Sequence, residues 1–495
     1  MPPKVTLDGR SLSIADVVAV ARGDVLVAIA PAALATMTAS RRIVEAAIAR
    51  GDTIYGVNTG FGKLAHVRIK PDQARELQRN LIRSHASGVG DPLAVDHVRA
   101  MMLLRANVLL RGSSGVRPEL PSLIVAMLNA KVHPRVPSQG SVGASGDLAP
   151  LAHLALAMIG EGADGAALQE RQLRPITLEA KEGLAFVNGT QAQTGMAALL
   201  EHDAWVVWRA AHAAAAMSLE AVRGTPMPFD ARIHDARPHP FQQRSAALLR
   251  ALLADSQIRE SHRQGDPRVQ DAYSLRCTPQ VLGAVGEGLA FAERLVTTEL
   301  NAATDNPLVF GDEVISGGNF HGQPIALALD VVAISLATLA GLAERRLERV
   351  VNPDLSSGLP PFLARNPGVE SGLMTPQIAA AALVAECRVL ATPASVQSVP
   401  TEGNQEDVVP MGMTAAWKAE RILGNAVRIV AVELLAAAQG LEYLKPLRPG
   451  RGVQRVYDAV RAVVPALDGD RPFTTDIERL ASGVRAGTFD PPEAT

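Results

Sequence analysis

Four long stretches, each apolar around much of a helix circumference, constrain the fold of this chain most. They cover residues 191–222, 279–301, 322–350 and 411–444. Helices that are apolar on nearly every side are buried among other helices rather than placed on a surface. Strand patterns are scarce in the sequence, and no short-period repeat occurs. The sequence therefore predicts a mainly α protein built around a bundle of long helices.

The first part of the chain is organised differently. We interpret residues 5–9 as one arm of a hairpin, followed by amphipathic helices that include one over 32–50. We expect two domains: an N-terminal portion over residues 1–200 that carries the candidate site, and a long-helix bundle domain over residues 201–495.

Composition excludes several classes of function. The formal net charge is −2, which gives no electrostatic reason to bind nucleic acid or an acidic membrane surface. Two cysteines, Cys277 and Cys387, fit a reducing compartment, and the histidines and cysteines show no spacing typical of a metal site. The apolar stretch 325–343 contains Asp330, so a helix buried in an oligomer explains it better than lipid does. We expect a cytoplasmic protein without a signal peptide.

A glycine-rich loop over residues 138–147 leads into an apolar helix that begins near Leu148, with Asp147 as its expected cap. One interpretation is an ordinary turn, which can hold an anion on free N–H groups. The other concerns Ala144-Ser145-Gly146. If the backbone bends sharply, the Gly146 nitrogen can attack the Ala144 carbonyl, and loss of two waters leaves a conjugated exocyclic alkene. Such a closure needs strain held by a rigid frame.

Further polar motifs interrupt the apolar pattern, and each also has a purely structural interpretation. The loop 55–62, Tyr-Gly-Val-Asn-Thr-Gly-Phe-Gly, lets backbone approach another group closely or is a surface turn with Tyr55 packed inward. Ser84 and His85 stand near a helix end, where histidine is commonly a cap. Asn188, before Gly189, is typical of a turn or an N-cap.

Three later motifs complete the set. Gln270, Tyr273 and Arg276 are spaced so that they can point one way, and an Arg fork fits a carboxylate; a polar loop before Pro279 is the alternative. Phe320 lies in a Gly-rich loop. Glu406, in the run Asn404-Gln-Glu-Asp407, is typical of a solvated helix start or of a partner for a ring N–H.

These motifs together resemble the aromatic amino acid ammonia-lyases, from about residue 5 to about residue 480. The resemblance implies a mainly α fold with fumarase/aspartase-like central helices behind an N-terminal portion. It also implies that Ala144-Ser145-Gly146 becomes 4-methylidene-imidazol-5-one (MIO), with no dissociable cofactor and no metal. In the family, the tyrosine matching Tyr55 is the catalytic base, on a mobile loop. A tyrosine base needs a lowered pKa.

The resemblance also implies roles for the remaining residues. Asn188 bonds near the MIO and the substrate, and Arg276 binds the substrate carboxylate. Gln270 and Tyr273 assist at the active site, and Phe320 lies near the MIO. Ser84-His85 and Glu406 match the members of the family that act on histidine, which implies conversion of L-histidine to trans-urocanate and ammonia.

The family pattern implies a homotetramer in which each active site draws residues from more than one subunit. Two departures stand near the last motif: Thr401-Glu402-Gly403 where Thr-Ser-Ala is common, and Val408-Val-Pro410 where His-Val-Ser is common. These departures leave room for a lyase of a histidine analogue. A tyrosine or phenylalanine lyase or an aminomutase is the other alternative within the family, and Ser84-His85 and Glu406 argue against the tyrosine and phenylalanine enzymes. A non-catalytic helical scaffold is the alternative of another class.

Overall fold

A computed structural model describes residues 3–162 and 164–491 of the chain, which are mainly helical. The strands are β1 (Lys4–Leu7), β2 (Leu26–Ile29), β3 (Val89–Pro92), β4 (Pro137–Gln139), β5 (Leu308–Phe310) and β6 (Glu313–Ile315). The helices before the long bundle segments are α1 (Ile14–Arg22), α2 (Pro31–Arg50), α3 (Ala74–His85), α4 (Val95–Leu110), α5 (Glu119–Asn129), α6 (Leu148–Met158), α7 (Gly165–Glu170) and α8 (Glu182–Val187). The later helices are α9 (Gln191–Ala221), α10 (Ala231–Asp235), α11 (Pro240–Leu252), α12 (Gln257–Ser261), α13 (Tyr273–Arg276), α14 (Thr278–Glu299), α15 (Gln323–Val351), α16 (Met374–Leu390), α17 (Gly412–Glu442), α18 (Arg451–Val463) and α19 (Thr474–Arg485).

The four predicted long helices are confirmed as α9, α14, α15 and α17, with ends that differ from the predicted ones by at most a few residues. Alanine and leucine are the commonest residues of α9, α15 and α17, and both residue types favour helix with little loss of side-chain freedom. Trp208 on α9 is fully buried, and its indole N–H donates to the carbonyl of Leu282 on α14 at 2.7 Å. These helices therefore pack into a core rather than lying on the surface, as the sequence predicted for a mainly α bundle.

Two helices, α15 and α17, are long and apolar enough to cross a membrane by length and composition alone. Within the structure, 67% of the most apolar window of α15 and 89% of that of α17 are already buried against protein. Burial of this extent is expected of core helices in a bundle.

The small strand pairs include one correction. β1 pairs with β2 in parallel, with Lys4 opposite Leu26 and Leu7 opposite Ile29, so residues 5–9 are not a hairpin arm. The helix α1 connects the two strands, and a parallel pair needs such a crossover. The pairs β3–β4 and β5–β6 are antiparallel.

The described chain divides into two compact units. The first comprises residues 1–202, 292–330 and 393–417, and the second comprises 203–291, 331–392 and 418–495. The first boundary lies next to the one expected after residue 200. The two units are not contiguous in sequence, as the expected domains were, because residues 292–330 and 393–417 belong to the N-terminal unit.

Contacts within the first unit explain why these two segments belong to it. Lys181 and Asp305 form an ion pair of 2.8 Å in which neither side chain is exposed. The backbone N–H of Gly322 donates to the Gly143 carbonyl at 3.0 Å, and that of Met411 donates to the Val142 carbonyl at 2.9 Å. The glycine-rich loop that contains Ala144-Ser145-Gly146 is therefore held by chain segments far away in sequence.

Candidate active site

The backbone of the loop around Ser145 turns back on itself. Gly143 and Gly146 form an isolated antiparallel bridge across Ala144 and Ser145 and have φ of +75° and +80°. A Cβ at Gly146 would lie 2.4 Å from backbone atoms of Gly189, so glycine alone fits there. The backbone is therefore bent sharply at Ala144-Ser145, and position 146 tolerates no side chain.

Asp147, the residue after the bend, fixes it through hydrogen bonds. It occupies the N-cap position of α6, but its side chain makes no capping bond there, so that expectation is wrong. The carboxylate instead accepts from the Ser141 hydroxyl at 2.9 Å and from the backbone N–H of Gln193 at 2.9 Å. Burial raises the pKa of Asp147 to about 6. The backbone N–H of Asp147 donates to the Gly189 carbonyl at 2.7 Å, so the end of the bend is hydrogen-bonded to the segment that follows α8.

Asn188 is hydrogen-bonded to the bend and also lines the cavity beside it. The residue ends α8, and its side-chain Nδ2 donates to the Ser145 carbonyl at 2.7 Å. Its Oδ1 is buried and accepts no hydrogen bond from the described residues. A buried acceptor without a donor is costly, so this oxygen is suited to a donor that arrives with a ligand.

A cavity of about 480 Å³ opens above the bend. Its lining includes seven of the residues that sequence analysis selected: Tyr55, His85, Ala144, Ser145, Asn188, Phe320 and Glu406. A neighbouring cavity of about 360 Å³ is lined by Ser84 and Gly146, and it shares His85, Ala144, Ser145 and Glu406 with the first. The first unit alone thus brings together the loop at 55–62, the bend at 144–146 and the run 404–407.

Tyr55 projects into the cavity from its own loop. Its hydroxyl accepts a hydrogen bond of 2.9 Å from the backbone N–H of Gly62. Burial raises the pKa of Tyr55, the charges of Glu402 and Glu406 raise it further, and the Gly62 bond opposes this. A tyrosine base requires the opposite shift, so the surroundings of Tyr55 within one chain do not supply what the base needs.

His85 and Glu406 line the cavity from different elements. The Ser84 hydroxyl lies 3.0 Å from Nδ1 of His85 at the end of α3. Thr401 orients Glu406 by donating from its hydroxyl to Oε2 at 2.6 Å. Burial lowers the pKa of His85, which favours the neutral ring, and the charge of Glu406 partly opposes that shift. A neutral imidazole and a carboxylate can each pair with a ring nitrogen.

Gln270, Tyr273 and Arg276 do not line this cavity. They belong to the second unit, where Tyr273 is 69% exposed and the Arg276 guanidinium lies 4.6 Å from its ring centroid. Tyr273 and Arg276 therefore face one another, and the common direction expected of them together with Gln270 stays a prediction. Nε of Arg276 is buried and bonds no described residue.

Two residues near the cavity were not selected from the sequence. Gly62 bonds the Tyr55 hydroxyl, and Gln193 holds Asp147. Glu402, noted in the sequence as a departure near the last motif, lines the cavity beside Glu406. A usable signal existed for Gln193, because polar residues at the start of an apolar helix require buried partners. No local pattern distinguishes Gly62 from the other glycines of its loop.

Comparison with known proteins decides the family. The sequence profile described as aromatic amino acid lyase matches residues 12–462. The chain belongs to the aromatic amino acid lyase family.

Relatives in this family cover almost the whole chain. A histidine ammonia-lyase of Stigmatella aurantiaca is 51% identical over 98% of this chain and 97% of its own length. The solved histidine ammonia-lyase of Trypanosoma cruzi is 43% identical and has a TM-score of 0.91, covering 98% of this chain and 94% of that one. A solved tyrosine aminomutase of Streptomyces globisporus is 41% identical with a TM-score of 0.94, covering 99% and 98%. The family resemblance and the fold class are thereby confirmed.

Proposed function

We propose that this lyase converts L-histidine to trans-urocanate and ammonia. The observation that carries the proposal is the cavity that joins Tyr55, Ser145 and Asn188 to two groups suited to an imidazole, His85 and Glu406. A site built to bond a polar ring rejects rings that leave its polar groups unpaired. Similarity to the histidine ammonia-lyases supports the same substrate.

The residues of the bend fit a prosthetic group made from Ala144-Ser145-Gly146. The turn is tight, position 146 excludes a side chain, and Asn188 already bonds the Ser145 carbonyl, which ring closure retains. When formed, MIO supplies an electrophile that makes the substrate amine a better leaving group. Asn188 Oδ1 then has a donor within reach in the substrate amine.

The remaining side chains have separate roles in catalysis and substrate binding. Tyr55 removes a proton from Cβ, His85 and Glu406 bond the ring nitrogens, and Phe320 packs beside the substrate. Arg276 binds the carboxylate bidentately, with Tyr273 and Gln270 beside it. A guanidinium brought near Tyr55 would also lower the pKa of that tyrosine, which the single chain raises.

Because the last three residues are absent from the cavity lining of their own chain, we propose that a second copy supplies them. The assembly is a homotetramer in the cytoplasm, and its partners are other copies and a small amino acid rather than nucleic acid or membrane. Exposed apolar side chains on the long helices and on α16, such as Ile334, Ile378, Val389 and Trp417, support burial by further subunits.

The change Ser145→Ala tests the chemistry. It removes the hydroxyl that leaves as water, so we expect a folded protein that has lost nearly all turnover. Intact mass of the wild type should fall below the encoded mass by two waters, and that of the variant should not. Turnover is measured as ultraviolet absorbance of the acrylate product with L-histidine, L-tyrosine and L-phenylalanine in separate reactions.

The outcomes separate the alternatives. Absorbance with histidine alone supports the proposal, and wild-type activity in the variant contradicts it. The structural similarity to a tyrosine aminomutase favours a second candidate, isomerisation to a β-amino acid. Chromatography for a β-amino acid in the same reactions detects that product. A wild type with the full encoded mass and no turnover would indicate a non-catalytic scaffold.

A further inference from the structure

Glu402 is held in an unusual backbone conformation at the edge of the cavity. Thr401 and Glu406 form an isolated bridge, with the Thr401 N–H donating to the Glu406 carbonyl at 2.8 Å. Between them Glu402, Gly403 and Asn404 have φ of +49°, +62° and +66°. Left-handed backbone is unfavourable for residues other than glycine, and it persists where surrounding structure imposes it, often at functional sites.

This conformation directs the Glu402 side chain onto the Tyr55 loop. A Cβ built on Gly62 would lie 1.8 Å from Oε1 and 2.1 Å from Cδ of Glu402, so the carboxylate fills the place of a side chain there. Gly62 itself has φ of +51°. The two segments fit because residue 62 is glycine and residue 402 reaches across to it.

The residue that Glu402 contacts, Gly62, is hydrogen-bonded to the Tyr55 hydroxyl. The N–H of the same Gly62 donates to the Tyr55 hydroxyl at 2.9 Å. The Glu402 carboxylate has no hydrogen bond or ion pair with any residue that the structure describes, so its contact with Gly62 is not incidental to another pairing. We propose that Glu402 is a positioning residue for the Tyr55 hydroxyl, acting through the backbone of Gly62.

The charges around Tyr55 give this contact a measurable signature. The titratable groups that line the cavity with Tyr55 are Glu402, Glu406 and Asp407 from one segment, His85 from α3, and His321. None of the described lining residues is lysine or arginine. Glu402 and Glu406 both raise the pKa of Tyr55 after burial does. Neutralising Glu402 therefore moves ionisation of Tyr55 to lower pH.

Two variants separate charge from position. Glu402→Gln keeps the shape and removes the charge, so the tyrosinate absorbance of Tyr55 should appear at lower pH than in the wild type. Subtracting the titration of Tyr55→Phe identifies this residue among the four tyrosines of the chain. Glu402→Gly removes the contact and relieves the left-handed backbone, so kcat should fall on the order of 10- to 100-fold while Tm is retained or raised.

Glu313→Gln is the matched control, because it removes an equal charge from an exposed position outside the cavity. An unshifted titration in Glu402→Gln overturns the proposal, and so does a wild-type kcat in Glu402→Gly. A lower Tm in Glu402→Gly that accompanies the loss of kcat indicates a merely structural role and also overturns it. The inference rests on Tyr55 as the base of the proposed reaction, but the absorbance titration needs no substrate. A protein that shows the shift without any turnover would therefore contradict the proposed function and not the contact.

Discussion

At the scale of single residues, Asn188 is the side chain whose two polar atoms have different tasks. Nδ2 holds the Ser145 carbonyl, and the buried Oδ1 has no donor among the described residues. A donor aimed at an oxygen that carries developing charge is worth more in a buried site than in water. One atom thus supports the bend, and the other is available to the substrate.

We expect Asn188→Ala to fold and to lower kcat on the order of 100-fold, as loss of one aimed donor does elsewhere. The measurement is the initial rate of acrylate formation, together with intact mass to report whether the ring still forms. Asn129→Ala is the control, because the Asn129 side chain likewise hydrogen-bonds backbone, in its case both the N–H and the carbonyl of Val27, outside the cavity. A wild-type kcat in Asn188→Ala would remove Asn188 from the site.

At the scale of elements, the start of α18 depends on a buried carboxylate. The backbone N–H of Gly450, the N-cap residue, donates to Glu220 at 3.0 and 3.2 Å. Glu220 lies on α9 and is only 3% exposed. Helix starts leave N–H groups unpaired, and here a neighbouring helix satisfies one of them.

This carboxylate makes stability depend on pH. Burial raises the pKa of Glu220 to about 7, so the folded state favours the protonated form. The contribution of Glu220 to the free energy of unfolding is fully present below about pH 4.5 and is lost as the pH rises through 7. At about 1.36 kcal/mol per pKa unit, the two limits differ by about 3 kcal/mol. We therefore expect Glu220→Gln to be more stable than the wild type at pH 8, with the gain vanishing near pH 4.5.

The measurement is the Tm of both proteins at equal concentration across this pH range, since oligomers show concentration-dependent melting. Glu313→Gln serves again as an exposed control. A Tm difference between Glu220→Gln and the wild type that stays constant with pH would contradict the linkage.

At the scale of the whole molecule, the proposed site is divided between copies of the chain. The cavity of the first unit contains the proposed base, Tyr55, and the bend, whereas Arg276, Tyr273 and Gln270 lie in the second unit and do not line it. In a closed oligomer, one copy can complete the site of another.

Co-expression of two inactive variants tests this division. Tyr55→Phe and Arg276→Ala place their defects on different copies of a shared site, so mixed tetramers should recover about a quarter of wild-type activity by random assortment. Tyr55→Phe with Asn188→Ala is the matched control. Both residues line the same cavity of one chain, so no mixed assembly should gain a complete site. Equal recovery in the two pairs, or none in either, would refute shared sites.

The long helices follow from the sequence alone, because an apolar circumference maintained over many turns is typical of a helix that is buried on most sides. It also offered Ala144-Ser145-Gly146 as a candidate for ring closure beside an ordinary turn, and the resemblance to the aromatic amino acid ammonia-lyases, rather than spacing, supplied the candidate side chains around it. The helical pattern is a local property, readable from spacing and residue type.

Which of these groups meet depends on the tertiary structure. Segments 292–330 and 393–417 join the N-terminal unit through contacts such as Lys181 with Asp305, and such contacts have no sequence period. The Asp147 carboxylate accepts from Ser141 and from the backbone N–H of Gln193 rather than from the start of α6, because the fold places these donors beside it. Likewise the pKa of Tyr55 and the contact of Glu402 with Gly62 depend on burial and distance, which chain folding creates and local sequence does not encode.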